Sequence, residues 1–179
     1  MIWRRFRKSA PNTDDWWRRA DALADAPARD AVDRLEHDIN PHPSADDETE
    51  RQIEMIAGLG DLAALATSAA LPVIPTQHRV IGGDACHFIA PIGIGAETEG
   101  TGKLFLTATR LVVMGAAGRA VPWHRVRRVS RDARELVVVV AGDAEPLVLR
   151  CNTYGEALAA GYIMRTLLAS TAAASPARD

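Results

Sequence analysis

A chain of 179 residues with 47% apolar and 25% charged side chains can build one ordinary buried core, and its composition excludes a disordered or fibrous protein. The net charge of −2 hides a polarity, since residues 1–50 carry eight basic and twelve acidic side chains and residues 101–151 nine and four. A basic C-terminal half could attract an anionic partner, but the simpler expectation is that it docks onto the acidic N-terminal half.

Thr13 caps a predicted helix over 14–25, whose opening Asp14-Asp15 pair suits the positive end of the helix dipole. Pro27 then fits the first turn of a second helix, with Ala28, Ala31, Val32, Leu35 and Ile39 along one face. Asn40-Pro41-His42-Pro43 breaks it. Ser44 caps a third helix that runs toward Ser68, with a bend expected at Gly58 and Gly60 and a wide apolar stripe that must pack on something. The apolar run Met55–Ile74 is interrupted by Asp61 and closed by Pro72 and Pro75, too short to span a bilayer. Residues 71–78 read as an extended connector.

From Val80 the period changes. Strands are predicted at 85–90, 102–107, 110–115, 119–122, 126–131, 135–140 and 146–151, with turns at 93–95, 115–118, 132–133 and 141–143. Thr153-Tyr154-Gly155-Glu156 is a capping box, opening a helix with Ala157, Ala160, Ile163, Met164, Leu167 and Leu168 on one face. Residues 171–179 read as a solvated tail. The fold class expected is therefore α+β: N-terminal helices over 1–75, then a seven-stranded antiparallel barrel over 76–170 closed by a C-terminal helix.

Gly102, Leu104, Leu106, Thr107, Arg110 and Leu111, followed by Val121-Pro122-Trp123 and by Val126 and Val129, form a pattern over about residues 80–170. It resembles the pleckstrin-homology superfold, and within it GRAM-type and bacterial PH-like domains. That resemblance implies a non-enzymatic module that binds proteins or, in some members, phosphoinositides. The loop that would meet an inositol phosphate, 93–100, carries Glu97 and Glu99 and no base, which argues against that ligand. Residues 1–75 resemble nothing recognised.

No cofactor, metal or catalytic set is indicated. Gly95–Lys103 lacks the first glycine and the hydroxyl of a phosphate loop and leads into a strand. His37 and His42 straddle a proline-broken helix end, the wrong spacing for a metal pair. Cys86 and Cys151 sit in apolar runs as small hydrophobes. A thiol–imidazole pair would need Cys86-His87 to meet Cys151.

Two surfaces remain as contact candidates. Arg119, Trp123, Arg125, Arg127, Arg128, Arg131 and Arg134 could meet a protein or an anion, with nucleic acid a lesser alternative. As a solvated strand, the same charges would deter edge-to-edge aggregation. Trp3, Phe6, Trp16 and Trp17 among arginines could anchor a partner or lie at a membrane surface. No apolar leader follows Met1, so a cytoplasmic protein is expected, peripheral to the membrane if that anchor is used.

Overall fold

A computed structural model describes residues 13–39, 47–95, 100–115 and 118–174. Three helices, α1 (Thr13–Asp25), α2 (Arg29–His37) and α3 (Asp47–Ala66), precede seven strands. These are β1 (Cys86–Ile94), β2 (Gly100–Thr107), β3 (Arg110–Met114), β4 (Arg119–Pro122), β5 (Val126–Asp132), β6 (Glu135–Val140) and β7 (Leu147–Cys151). A 3₁₀ turn at Trp123–Arg125 joins β4 to β5, and α4 (Tyr154–Ala174) follows β7.

The helices follow their apolar spacing. Trp16, Ala20 and Ala24 of α1 recur every four residues and are buried. Pro27 lies outside α2 rather than in its first turn, because Ala28 is the extended N-cap. Ser44, the expected cap of α3, lies outside the described residues. α3 runs unbroken through Gly58 and Gly60, where a bend was expected. Gly58 serves contact instead: a Cβ there would lie 2.7 Å from Gly155 Cα, so the backbones of α3 and α4 meet at this pair.

All ladders are antiparallel, in the order β4-β3-β2-β1-β7-β6-β5. β1 outlasts its predicted end at residue 90, and the turn expected at 93–95 begins only after Ile94. Along Ile92–Ile94 the strand is hydrogen-bonded on both sides, to β2 and to β7. Gly93 marks that shared stretch rather than a turn. No ladder joins β4 to β5 among the described residues, so the sheet is open along that seam.

One face of the sheet supplies Leu104, Leu106, Leu111, Val121, Val138 and Leu149 to a core that also holds Ala160, Ile163, Met164 and Leu167 of α4. On the opposite face Phe105 and Val112 pack with Ile81 and Cys86, under the connector that precedes β1. A third cluster joins α1, α2 and α3 to Tyr154 and Leu158 of α4. α4 thus has the sheet on one side and helices on the other, which is why it is apolar nearly all round. It continues to Ala174, four residues into the segment expected to be a solvated tail.

Candidate functional site: the basic edge of the sheet

The basic stretch divides into engaged and free residues. Arg119 of β4 pairs with Asp143 in the β6–β7 turn, and Arg125 lies 3.6 Å from the same carboxylate while donating to the Ala141 carbonyl at 2.7 Å. Asp143 therefore holds the 3₁₀ turn and β4 against the β6–β7 turn where no ladder does. Arg131 Nη2 reaches Asp21 of α1 at 2.6 Å, with only 9% of its side chain exposed. Arg134 pairs with Glu54 of α3, and its guanidinium carbon lies 4.7 Å from the Tyr154 ring centroid. The other Glu54 oxygen accepts the Tyr154 N–H at 2.8 Å, so one α3 carboxylate caps α4 and fixes the β5–β6 turn.

Trp123 is no contact residue. It is 1% exposed within the main core, and its indole N–H donates to the Thr107 carbonyl at 2.8 Å. It stands two positions after the buried Val121 of β4, at the start of the 3₁₀ turn, and enters the same core.

Arg127 and Arg128 are different. The register steps from Val126 opposite Val140 to Arg128 opposite Val139, which makes Arg127 the extra residue of a bulge. Both arginines are exposed, and neither side chain makes a hydrogen bond or ion pair among the described residues. Val139, across the ladder from Arg128, is 40% exposed. The strand edge thus presents two free cations beside a small apolar patch.

The aromatic candidates are largely internal. Trp16 is buried and donates to the Leu35 carbonyl at 3.2 Å. Trp17 packs edge-on against Trp16, faces Tyr154 at 5.5 Å and donates to Glu48 at 2.6 Å. These two tryptophans pin α1 to α2, α3 and α4. Trp3 and Phe6 lie outside the described residues.

The Thr107-Ala108-Thr109-Arg110 corner is a fastening. Thr107 and Thr109 donate from their hydroxyls to Asp84, and Arg110 reaches the Val80 and Ile81 carbonyls at 3.4 and 3.3 Å. Partial burial opposes charge on Asp84, but both hydroxyls, the Thr109 N–H and Arg110 outweigh it and hold the carboxyl below its ordinary pKa. The contribution of this clasp to stability is complete above about pH 4 and fades as pH falls through the depressed value. Asp84→Asn should therefore be less stable than the parent at pH 7 in urea unfolding, with the gap closing below about pH 4. A gap of constant size would show that the carboxylate charge is irrelevant.

The thiols do not meet: Cys151 is in the core shared with α4 and Cys86 on the opposite face of the sheet. His87 instead faces the Pro72 carbonyl at 2.7 Å. Burial first, and then the Glu156 charge, push the Cys151 thiol up to about 12. Burial also raises Cys86. Neither should react with a disulfide reagent at pH 8 until the chain is unfolded, when both thiols titrate; rapid labelling of folded protein would contradict their placement.

A cleft of 830 Å³ lies between α3, the end of β7 and the β5–β6 turn, lined by Arg51, Arg134 and Arg150 among others. Each of these cations already has an acid: Glu48 at 2.8 Å, Glu54, and Glu135 at 3.1 Å. The nearby start of α4 is closed by Glu156, which accepts the Asn152 and Thr153 N–H groups. Each cation of the cleft is thus neutralised by an acid of the chain itself. Among the described residues there is no group of three metal-ligating side chains within reach of one ion, and no helix long and apolar enough to cross a membrane.

Asp143, Glu54, Asp84 and Val139 were not singled out from the sequence. Asp143 looks like turn punctuation and Asp84 like loop; only the fold brings each to its arginines or threonines.

No family model and no curated protein matches the chain. Among solved structures it is similar to the crystal structure of the ternary complex between human RhoA, its inhibitor and the DH/PH domain of human ARHGEF11. The identity is 11% and the TM-score 0.43, over 84% of this chain. The chain spans 53% of that chain's length. A likeness of this degree carries no inference about function.

Proposed function

We propose that the chain is a non-enzymatic binding module of the PH/GRAM-like type, a small barrel with its closing helix, that docks a protein in the bacterial cytoplasm through the basic edge of β5. The observation that carries this reading is the division among the arginines. Arg119, Arg125, Arg131 and Arg134 answer acids of the chain itself, whereas Arg127 and Arg128 are left exposed without one. Two unpaired cations flanking a half-exposed valine fit an acidic protein surface better than a nucleic acid, which needs a longer basic track and stacking aromatics. An inositol phosphate finds no base in the 93–100 loop.

The test is the double charge reversal Arg127→Glu/Arg128→Glu. It should leave the unfolding free energy within about 0.5 kcal/mol of the parent, as exposed substitutions do. Partners recovered by cross-linking in cells should be lost with it. Retention of those partners, or turnover of a small molecule by the purified chain, overturns the reading.

A further inference from the structure

We propose that the protein docked on the β5 edge is a second copy of this chain, the two β5 strands pairing antiparallel about a two-fold axis at Ser130. This rests on the reading of that edge as the docking surface and names its occupant.

The strand order leaves two edges, and they are not equivalent. β4 has four residues, ends in Pro122, and has Arg119 tied to Asp143. β5 has seven residues and a single ladder, to β6. Two residues, Ala133 and Arg134, separate the opposed pair Asp132 and Glu135. In such a hairpin the closing pair exchanges hydrogen bonds and the pairs then alternate. The N–H and C=O of Val129 and Arg131 therefore turn to the open side. Neither residue makes a backbone hydrogen bond outside the β5–β6 ladder among the described residues.

Side chains alternate across the strand. Val129 packs on the core shared with α4, and Arg131 reaches Asp21. Arg128, Ser130 and Asp132 accordingly stand on the face away from that core. Arg128 and Asp132 are both exposed, and neither side chain has a hydrogen-bond or ion-pair partner among the described residues. The outer face thus runs cation, small hydroxyl, anion, with both charges unanswered. Run antiparallel, such a strand is its own complement, as an isologous contact requires.

An axis at Ser130 sets Val129 opposite Arg131 of the second copy, so the open backbone groups exchange hydrogen bonds. It also sets Arg128 opposite Asp132 of the second copy, twice by symmetry, in the non-hydrogen-bonded pairs whose side chains stand closest. The two small Ser130 side chains meet on the axis. Centring the axis on Val129 would leave Arg128 facing Ser130, with the charges unmatched. Centring it on Arg131 would set that arginine against its own copy. Charge and backbone select the same register.

The probe is the full chain itself, followed by sedimentation equilibrium. The parent should dimerise, and its Val129 and Arg131 amides should exchange about tenfold more slowly, or slower still, in the dimer. Arg128→Asp or Asp132→Arg alone sets like charges opposite each other and should weaken dimerisation by about tenfold or more. Both positions are exposed, so unfolding of each variant should match the parent. An equimolar mixture of the two variants should regain the dimer, because every acid then faces an arginine. A mixture that stays monomeric overturns the pairing. A dimer that persists undiminished in each variant lies on another surface and overturns it too. If the parent is monomeric at about 1 mM, the second copy is overturned, and loss of cross-linked partners in Arg127→Glu/Arg128→Glu would still uphold the basic-edge reading. A monomeric parent whose charge-reversed variant keeps its partners overturns both.

Discussion

Trp123→Ala should destabilise the chain by about 3–5 kcal/mol, the range for removing a large buried aromatic. The indole is 1% exposed and sits between Val121, Val126 and the residues of α4 in the main core. Its removal leaves a cavity at the seam between β4 and β5, where no ladder supports the backbone. It also deprives the Thr107 carbonyl of its indole donor. Trp123→Phe keeps much of the volume but not that hydrogen bond, and should fall between the two. Against a typical stability of about 5–15 kcal/mol, the alanine variant would be marginal. Urea unfolding monitored by circular dichroism gives the value. A loss below about 1 kcal/mol would place the ring on the surface after all, where a contact residue would be.

Gly58→Leu should be of comparable severity, about 3 kcal/mol, at the upper end of what overpacking costs. A Cβ at Gly58 would approach Gly155 Cα to 2.7 Å, Gly155 N to 2.9 Å and Leu158 Cδ1 to 3.0 Å. Two of those atoms are backbone and cannot swing aside, so α3 and α4 must part and open the cluster around Met55, Leu59 and Leu62. Even Gly58→Ala should destabilise, although alanine is the better helix former by about 1 kcal/mol. Gly60 is the contrasting position on the same helix. Its added Cβ would meet only the flexible end of Arg29, at 3.4 Å. Gly60→Ala should therefore keep most of its propensity gain and stabilise by about 0.5–1 kcal/mol. Equal effects at the two glycines would mean that α3 and α4 do not touch there.

These two residues show what could be read along the chain and what could not. Apolar periodicity identified α2, α3 and α4, the Thr13 cap and acidic first turn identified α1, and seven strand-forming runs separated by turn residues identified the sheet, because all these signals are local. Gly58 looked like a weak point in a helix, since nothing in a linear pattern says that Gly155 will lie against it. Gly93 looked like a turn because a glycine in a strand hydrogen-bonded on both sides has the same local signature. The arginines were conspicuous as a group, but their partners Asp21, Glu54 and Asp143 are remote or lie in segments with other apparent purposes. Separating engaged from free cations needed the fold, as did recognising that Arg127 is the extra residue of a bulge.

On the proposed reading, the basic stretch serves both internal docking and partner binding, divided between different arginines. Stability and partner affinity measured in parallel for each single arginine-to-alanine variant separate the two roles. Arg131→Ala and Arg134→Ala should lower stability, by about 1 kcal/mol or more for Arg134 because Glu54 loses its charge partner, with affinity of the folded chain unchanged. Arg127→Ala and Arg128→Ala should lower affinity and leave stability alone. The reverse assignment, or affinity losses spread evenly over all of them, would contradict it.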